Sequence, residues 1–143
     1  MEKIDLIIKT GRITARNISS YALEGLIPIF ICRFMNPLVK AYEGTELHLP
    51  NLSPSPKLLM DSKNGLISWD EYKTRYMEEM KSVDILDELS KIYSLVKLNP
   101  EVNAKGAILL CYCRDYTKCH RSLLANIINS LDVLEENVTE LYV

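Results

Sequence analysis

Two short and continuously apolar segments constrain the fold of this chain more than any other feature. Residues 27–32 and residues 107–113 are apolar throughout, and turn-forming or polar residues bound both segments. Runs of this length are short for helices and are typical of strands buried on both faces, as in a parallel sheet. Pro28 then lies near the start of its strand, where a missing amide donor is tolerated.

Further strands and helices alternate with these two segments. Residues 4–10 have the β-branched content of a first strand that stops at Gly11, and residues 138–143 are predicted to form a closing strand. Residues 19–25 are predicted to form a short helix with Gly25 as its left-handed cap. This alternation indicates an α/β fold, with a parallel or mixed sheet and helices on both faces.

The middle of the chain carries the most regular helical signal. Ser68 and Glu71 form a capping box, in which the serine hydroxyl accepts from the third amide and the glutamate reaches back. The pattern predicts an amphipathic helix, split in two by a second cap at Ser82 and ended by Asn99, because Pro100 disfavours helix before it. The apolar and aromatic side chains that recur at three- and four-residue spacing are Tyr72, Tyr76, Met80, Val83, Leu86, Leu89, Tyr93 and Val96.

The connection between the second strand and this helical region is rich in proline. Residues 36–64 hold most of the prolines and show little periodicity, so they are predicted to be irregular, with one helical turn at residues 57–60. Long loops of this kind are either functional or merely connecting segments. His48 lies in this connection and is expected to be exposed to solvent.

Size, charge and cysteine content limit the classes of function. The 143 residues are expected to form one domain over residues 1–143, and the net charge of −2, from 17 basic and 19 acidic side chains, disfavours nucleic acid as a partner. No apolar segment approaches the roughly 20 residues of a membrane span, so no membrane role is expected. The N-terminus lacks the apolar region of a signal peptide, so the four cysteines are interpreted as thiols of a cytoplasmic protein.

The candidate site follows the second apolar segment. A polar loop, residues 114–118, leads into a helix that begins at His120 or Arg121, and ligands of α/β sheets bind where such loops leave the carboxyl ends of strands. The free amides and partial positive charge of a helix start attract anions. Arg121 can grip a phosphate or carboxylate, His120 can act as acid or base, and the helix start would depress the pKa of the Cys119 thiol.

The same residues also have structural explanations. Cys111 is more often a small buried strand residue, and Cys113 on the same strand face is either core filler or a pocket wall. His120 and Arg121 can instead belong to a helix cap and pair with carboxylates such as Glu140. Both explanations stay open at the level of the sequence.

Two sharper cysteine motifs fit the spacing less well. A zinc site could use Cys111, Cys113, Cys119 and His120, but a Cys-x-Cys pair on a strand lacks the bend of a zinc knuckle, and adjacent residues rarely bind one ion. A phosphatase loop places an arginine six positions after its cysteine. Thr117 and Cys119 occupy those positions here, so the phosphatase assignment fails.

The segment of residues 109–121, with a Leu-Leu-Cys strand, a polar loop and a Cys-His-Arg helix start, resembles the signature of the domain of unknown function 488 family. The resemblance implies a cytosolic Rossmann-like domain, and it suggests nucleotide or nucleic-acid processing without establishing an activity. Cys113 departs from the family pattern, because many relatives carry an acidic residue at this position. Weaker similarities to the family cover residues 27–29, Arg33, Pro37, residues 67–76 and residues 138–140.

These observations combine into one leading hypothesis, in which the chain binds, and can also process, a nucleotide-like or other phosphorylated anion. Arg121 and the helix amides would hold the anion, His120 would be the acid or base, and Cys119 would be the nucleophile or a wall of the pocket. Neither a metal nor a cofactor is assigned. The alternatives are a cysteine-based metal or redox module and a non-enzymatic interaction domain. Further ligand-binding candidates are Arg33, Tyr76, Cys111, Cys113, Ser122 and Glu140.

Overall fold

The computed structural model describes residues 2–98 and 103–142 and shows an α/β fold. The described strands are β1 (Ile7–Arg12), β2 (Leu26–Phe30), β3 (Gly106–Cys111) and β4 (Thr139–Glu140). They form one sheet in the order β2-β3-β1-β4, and every pairing is parallel rather than mixed. The helices in the same part of the chain are α1 (Ala15–Leu23), α2 (Pro56–Lys63), α3 (Trp69–Met80), α4 (Ile85–Lys97) and α5 (His120–Leu131).

β3 is an inner strand of the sheet, and all of its residues are buried. At its first residue, Gly106, a Cβ would collide with the Ile7 carbonyl oxygen of β1, which explains the glycine. The strand ends at Cys111, two residues earlier than the sequence predicted. Pro28 is tolerated in β2 because that strand lies at an edge of the sheet.

β1 continues through Gly11, where the sequence predicted its end. A Cβ at Gly11 would lie 2.5 Å from Tyr21 Oη, so the glycine leaves the space into which the α1 tyrosine packs. The Tyr21 hydroxyl donates to the Arg12 carbonyl at 3.3 Å. α1 begins earlier than predicted because Thr14 caps it, and Gly25 follows it with a φ of +76°, as expected for a left-handed cap.

The two faces of β3 belong to two separate hydrophobic clusters, because successive side chains of a strand point in opposite directions. Ile108 and Leu110 pack with Tyr21 of α1 on one face. On the other face, Leu109 and Cys111 pack against α3, α4 and α5. The prediction of helices on both faces is confirmed, and Cys111 faces the side that carries α5.

The break between α3 and α4 changes which residues of α4 face the core. Asp84, not Ser82, caps α4 through a hydrogen bond from the Asp87 amide. Because α4 starts at a new angle, Leu86 and Tyr93 are exposed, although the single stripe placed them inside. Ile85, Glu88, Leu89, Ile92 and Val96 form the buried face instead. α4 ends at Lys97, and Asn99 and Pro100 lie outside the described residues.

The proline-rich connection is more ordered than its sequence predicted. α2 extends over eight residues, because Ser55 caps it and Pro56 occupies its first position, where proline is favoured. His48 is half-buried rather than exposed, with Nε2 2.9 Å from the Cys32 carbonyl oxygen. The connection therefore packs against the end of β2 and helps to shape the surface there.

The last strand is short and lies at the second edge of the sheet. Lys9 and Thr10 of β1 pair with Thr139 and Glu140 of β4, so β4 covers only part of the predicted segment, and Val143 lies outside the described residues. Among the helices of the described residues, none has both the length and the apolar content needed to cross a membrane.

Candidate functional site

The loop between β3 and α5 places the sequence motif at the carboxyl edge of the sheet. Asp115 accepts from the Thr117 amide at 3.0 Å and starts a short turn over Tyr116–Lys118. Cys119 is the extended residue that precedes α5, but its side chain makes no capping hydrogen bond. Ser122 in the first turn donates to the Cys119 carbonyl at 2.8 Å, so its hydroxyl serves the local backbone.

Arg121 is buried, with an exposed fraction of 1 %. It forms a bidentate pair with Glu140, with Nε to Oε1 at 3.0 Å and Nη2 to Oε2 at 2.9 Å. Nη1 donates to the Cys113 carbonyl at 2.9 Å. Glu140 also accepts from the Thr10 hydroxyl at 2.7 Å. The structure therefore contains the carboxylate pairing that the sequence left open, and it ties α5, β4, β1 and the site loop together.

Burial alone would lower the pKa of the Arg121 guanidinium, but the contact with Glu140 and the neighbouring Cys119 and Cys111 sulfurs together outweigh burial, so the pKa is raised. Arg121 also lies 6.0 Å from the centre of the Tyr116 ring. Its described contacts are all within the protein. Arg121 could therefore bind an anionic ligand, as the sequence predicted, only if these hydrogen bonds were broken. A role in positioning the neighbouring thiols requires no change in its contacts.

Three of the four cysteines meet beside this guanidinium. Cys111 and Cys119 are buried, with their Sγ atoms 2.7 Å apart, and Arg121 Nη1 lies 3.4 Å from each of them. Cys113 lies two residues after Cys111 and is exposed. The site thus contains two covered sulfur atoms and one accessible sulfur atom.

The predicted depression of the Cys119 pKa is wrong. Burial raises the pKa of Cys119 well above its usual value, and it raises the pKa of Cys111 as well. The pKa of Cys113 is instead lowered by its interaction with the neighbouring Cys111 and Cys119 thiols. At Cys119 the cost of burying a charge outweighs the favourable field of the helix N-terminus. Of the three thiols, Cys113 is therefore the one that ionises most readily.

His120 is buried beside the thiols and is held from both sides. Its Nε2 lies 2.7 Å from the Ile31 carbonyl oxygen, which can only accept, so Nε2 carries the proton. Nδ1 is left as an acceptor, 3.8 Å from Cys119 Sγ. Burial lowers the pKa of His120, so the ring is neutral near neutral pH. The imidazole can therefore take a proton from Cys119 but cannot donate one there.

Tyr76 supports this ring from behind. The two ring centres are 5.7 Å apart, and the Tyr76 hydroxyl donates to the Leu52 carbonyl at 2.7 Å in a fully buried position. Tyr76 was predicted as a ligand contact. The structure places it in the core beneath the site, where it fixes the position of His120.

Metal-binding atoms are also close together here. The ligand atoms of Cys111, Cys119 and His120 lie within 4.8 Å of one another. Two thiolates on one tetrahedral zinc ion are separated by roughly 3.7 Å, given Zn–S bonds of about 2.3 Å. The observed 2.7 Å separation is shorter, and the Arg121 guanidinium already lies beside both sulfurs. The geometry favours thiol chemistry over metal binding.

A cavity of about 250 Å³ opens in front of the thiols, between the carboxyl ends of β2 and β3. Of the predicted site residues, Arg33, Cys111, Cys113 and His120 line it. The others lie behind its wall or farther along the sheet. The complete lining is Cys32, Arg33, Phe34, Pro54, Leu59, Ser62, Lys63, Trp69, Tyr72, Cys111, Tyr112, Cys113, Lys118 and His120.

The cavity combines an aromatic wall with positive charge. Trp69 and Tyr72 stack with ring centres 5.2 Å apart and planes 19° from parallel. Arg33, Lys63 and Lys118 are its charged lining residues, and no carboxylate joins them. Sequence reasoning missed the aromatic pair and both lysines as site residues. The capping box drew attention to Ser68 and Glu71, although the next residue, Trp69, is the one that reaches the cavity.

Fold and site together define an α/β protein with a thiol-lined cavity at the carboxyl edge of a parallel sheet. The family model described as the active DUF488-N3 subclade matches residues 14–131, and the chain belongs to this family. The resemblance found in the Cys-His-Arg segment is thereby confirmed. No curated protein and no solved structure matches the chain.

Proposed function

We propose that the cavity binds a small anionic ligand with a planar ring, of the kind that nucleotides provide. The observation that carries this proposal is the lining, in which a stacked aromatic pair lies beside three cationic side chains with no carboxylate. The cavity also lies where parallel α/β sheets bind ligands, beyond the carboxyl ends of neighbouring strands.

The size and polarity of the cavity suit a flat ring. Its volume of about 250 Å³ is close to the lower end of ligand pockets, which begin at about 300 Å³, so one base or nucleoside fits better than a large cofactor. Trp69 is half-buried and Tyr72 is buried, so the indole offers an accessible π-surface on a supported wall. Stacking on such a surface is worth about 1–3 kcal/mol per base.

The charged side chains supply the anion contact. Lys63 and Lys118 are exposed, and among the described residues neither forms an ion pair with a carboxylate. Arg33 is half-buried, and its Nε donates to the Pro54 carbonyl at 3.1 Å, which orients the guanidinium at the cavity. These cations favour phosphate over a neutral nucleoside, and the effect weakens as salt is added.

The floor of the cavity holds the reactive groups. Cys113 offers an accessible thiolate, and neutral His120 offers the edge of its ring. Arg121 lies behind them as a positioning residue, with its contacts to the Cys113 carbonyl and to both buried sulfurs. A ligand bound on Trp69 would therefore be held next to Cys113, not next to Cys119.

Thermal shifts with adenosine monophosphate, adenosine, ribose 5-phosphate and inorganic phosphate test the proposal. Ligand at a hundredfold excess over its dissociation constant stabilises the folded protein by about 2.7 kcal/mol. We expect the nucleotide to raise the melting temperature most, Trp69→Leu to abolish the shift, and Lys118→Ala to reduce it.

Two variants serve as matched controls for this experiment. Tyr93→Leu removes an exposed aromatic ring of α4, and Lys105→Ala removes an exposed lysine at the amino end of β3, so both should leave the shift unchanged. If none of the four ligands raises the melting temperature, or if the rise persists in Trp69→Leu, binding in this cavity is contradicted.

A further inference from the structure

We propose that Cys111, Cys113 and Cys119 form a dithiol–disulfide exchange site that takes small disulfides as its substrate. Cys113 is the sulfur that meets the incoming disulfide, and Cys111 and Cys119 are the pair that becomes oxidised. The proposal does not depend on the ligand of the cavity, since it rests on the contact between the Cys111 and Cys119 sulfurs and on the exposure of Cys113.

The buried pair is already in contact. Cys111 Sγ and Cys119 Sγ are 2.7 Å apart, and a disulfide bond is about 2.05 Å long, so the two sulfurs need to approach by less than about 1 Å. Cys111 is the last residue of β3, and Cys119 precedes α5, so each sulfur is presented by the end of a regular element. Both side chains are 1 % exposed.

Access from solvent is limited to the third sulfur. Cys113 is exposed and lines the cavity. Cys111 also lines the cavity but is only 1 % exposed, and Cys119 does not reach it. An external disulfide R–S–S–R can therefore meet Cys113 first, at the mouth of the cavity. The three thiols are thus arranged as one accessible sulfur in front of two covered ones, which is the arrangement that stepwise exchange requires.

The exchange proceeds in balanced steps. The Cys113 thiolate attacks R–S–S–R, forms a mixed disulfide and releases the first R–S⁻. Cys119 then loses its proton and attacks the Cys113 sulfur, which releases the second R–S⁻. Cys111, after losing its proton, attacks the Cys119 sulfur and releases Cys113 as thiolate. Overall, two protein thiols give up two electrons and two protons, and one small disulfide becomes two small thiols.

Neighbouring groups serve these steps. His120 Nδ1 is an acceptor 3.8 Å from Cys119 Sγ, where it can receive the proton that leaves Cys119. The Arg121 guanidinium lies 3.4 Å from both buried sulfurs and stabilises the negative charge that develops there. Cys32 is 5 % exposed and its thiol donates to Met35 Sδ at 3.4 Å, so we expect it to take no part in the exchange.

The test equilibrates the full chain with mixtures of reduced and oxidised glutathione, followed by acid quenching and intact mass measurement. We expect the protein to lose two hydrogens in one cooperative step. Trypsin then separates residues 106–114 from residues 119–121, so a bond from Cys119 to Cys111 or to Cys113 appears as these two peptides joined. Joined peptides in the Cys113→Ser variant assign the bond to Cys111. Reduction should release them.

Three serine variants distinguish the roles of the sulfurs. Cys119→Ser should prevent the joined peptides, and Cys32→Ser, at the buried thiol that contacts Met35, should leave the final extent of oxidation unchanged. Cys113→Ser should slow oxidation at least roughly tenfold while the final extent stays the same, because the covered pair loses its accessible partner. Its exposed position makes this variant the one that keeps the native fold.

Three results would overturn the proposal. One is a protein that stays fully reduced in oxidised glutathione alone, and another is a Cys113→Ser variant that oxidises as fast as the wild type. The third is purified protein that carries one zinc ion per chain and releases it only when the thiols are titrated, since the sulfurs would then be metal ligands.

Discussion

The two sides of the α5 start differ in how their polar groups are used. On the inner side, Arg121, Glu140 and Thr10 satisfy one another, and we call these three residues the inner cluster. On the outer side, the cationic groups of the cavity, such as Lys63 and Lys118, face solvent. The inner cluster holds strands and helix together, and the cavity is left with groups available to a ligand.

The residues that make the sequence motif specific are therefore not the same as the residues that are available to a ligand. Arg121 belongs to the most specific motif of the sequence, yet it is buried and paired, and it acts on the site through Cys113 and the two covered thiols. Trp69 and Lys63 reach the cavity from segments outside this motif. A motif in this fold can thus define the frame of a site while neighbouring segments supply the contacts.

The largest expected effect is on the inner cluster. Arg121→Met leaves the Glu140 carboxylate buried without its partner and should lower the free energy of unfolding by about 3–5 kcal/mol. Lys118→Met, on the cavity side, should change it by no more than about 0.5 kcal/mol. Urea denaturation of the two variants measures the contrast. Equal losses would remove the distinction between the two sides.

A second pair of variants tests the same contrast with identical chemistry. Tyr76→Phe removes a buried hydrogen bond and leaves the Leu52 carbonyl without it, which should cost about 1–3 kcal/mol. Tyr72→Phe, one turn earlier on α3 and at the cavity, should cost less than about 0.5 kcal/mol. Thermal unfolding compares them, and a larger loss for Tyr72→Phe would reverse the assignment of the two tyrosines.

Much of the frame could be predicted from local pattern. The apolar run of β3 indicated full burial and parallel pairing, and Ser68 correctly marked the start of α3. The buried face of α4 was harder to predict. The apolar stripe through Leu86 and Tyr93 assumed that one helical periodicity continues across the break, but α4 starts at a new rotation about its axis. Nothing in the local sequence states that angle, since packing against the sheet decides it.

The site was predictable in place but only partly in roles. The Cys-His-Arg segment located it, and Glu140 was recognised as a partner for Arg121. The thiol roles were assigned from the helix start alone, which favoured Cys119. Its burial depends on contacts with Cys111 and with residues far along the chain, so the lowered pKa of Cys113 could not be read from spacing.

A third prediction concerns His120, which lines the cavity and is anchored on its inner side. Burial lowers its pKa, so the unfolded chain binds a proton below about pH 6.5 that the folded protein does not. Stability from this residue is thus unaffected above that pH and falls as the pH decreases further, by at most about 1.4 kcal/mol per unit.

Melting temperatures between pH 5 and 8 measure this effect, at roughly the range in which histidine titrates. His120→Gln keeps a donor for the Ile31 carbonyl but cannot titrate, so its stability should depend less on pH. His48→Gln, which replaces the other histidine, should retain the wild-type acid sensitivity. Equal acid sensitivity in His120→Gln and wild type would place the responsible group elsewhere.

The smallest expected effect on stability is at the mouth of the cavity. Lys63→Ala removes an exposed charge at the last residue of α2, so the free energy of unfolding should change by less than about 0.5 kcal/mol. Nucleotide affinity should still fall by about threefold at low salt, and the difference should shrink as the ionic strength rises. Calorimetric titration at two salt concentrations, with Lys105→Ala as the control, separates the two effects. An affinity loss of the same size in Lys105→Ala would mean that the overall charge of the protein, not the cavity, attracts the anion. The cationic groups of the outer side would then not be specific contacts for the ligand.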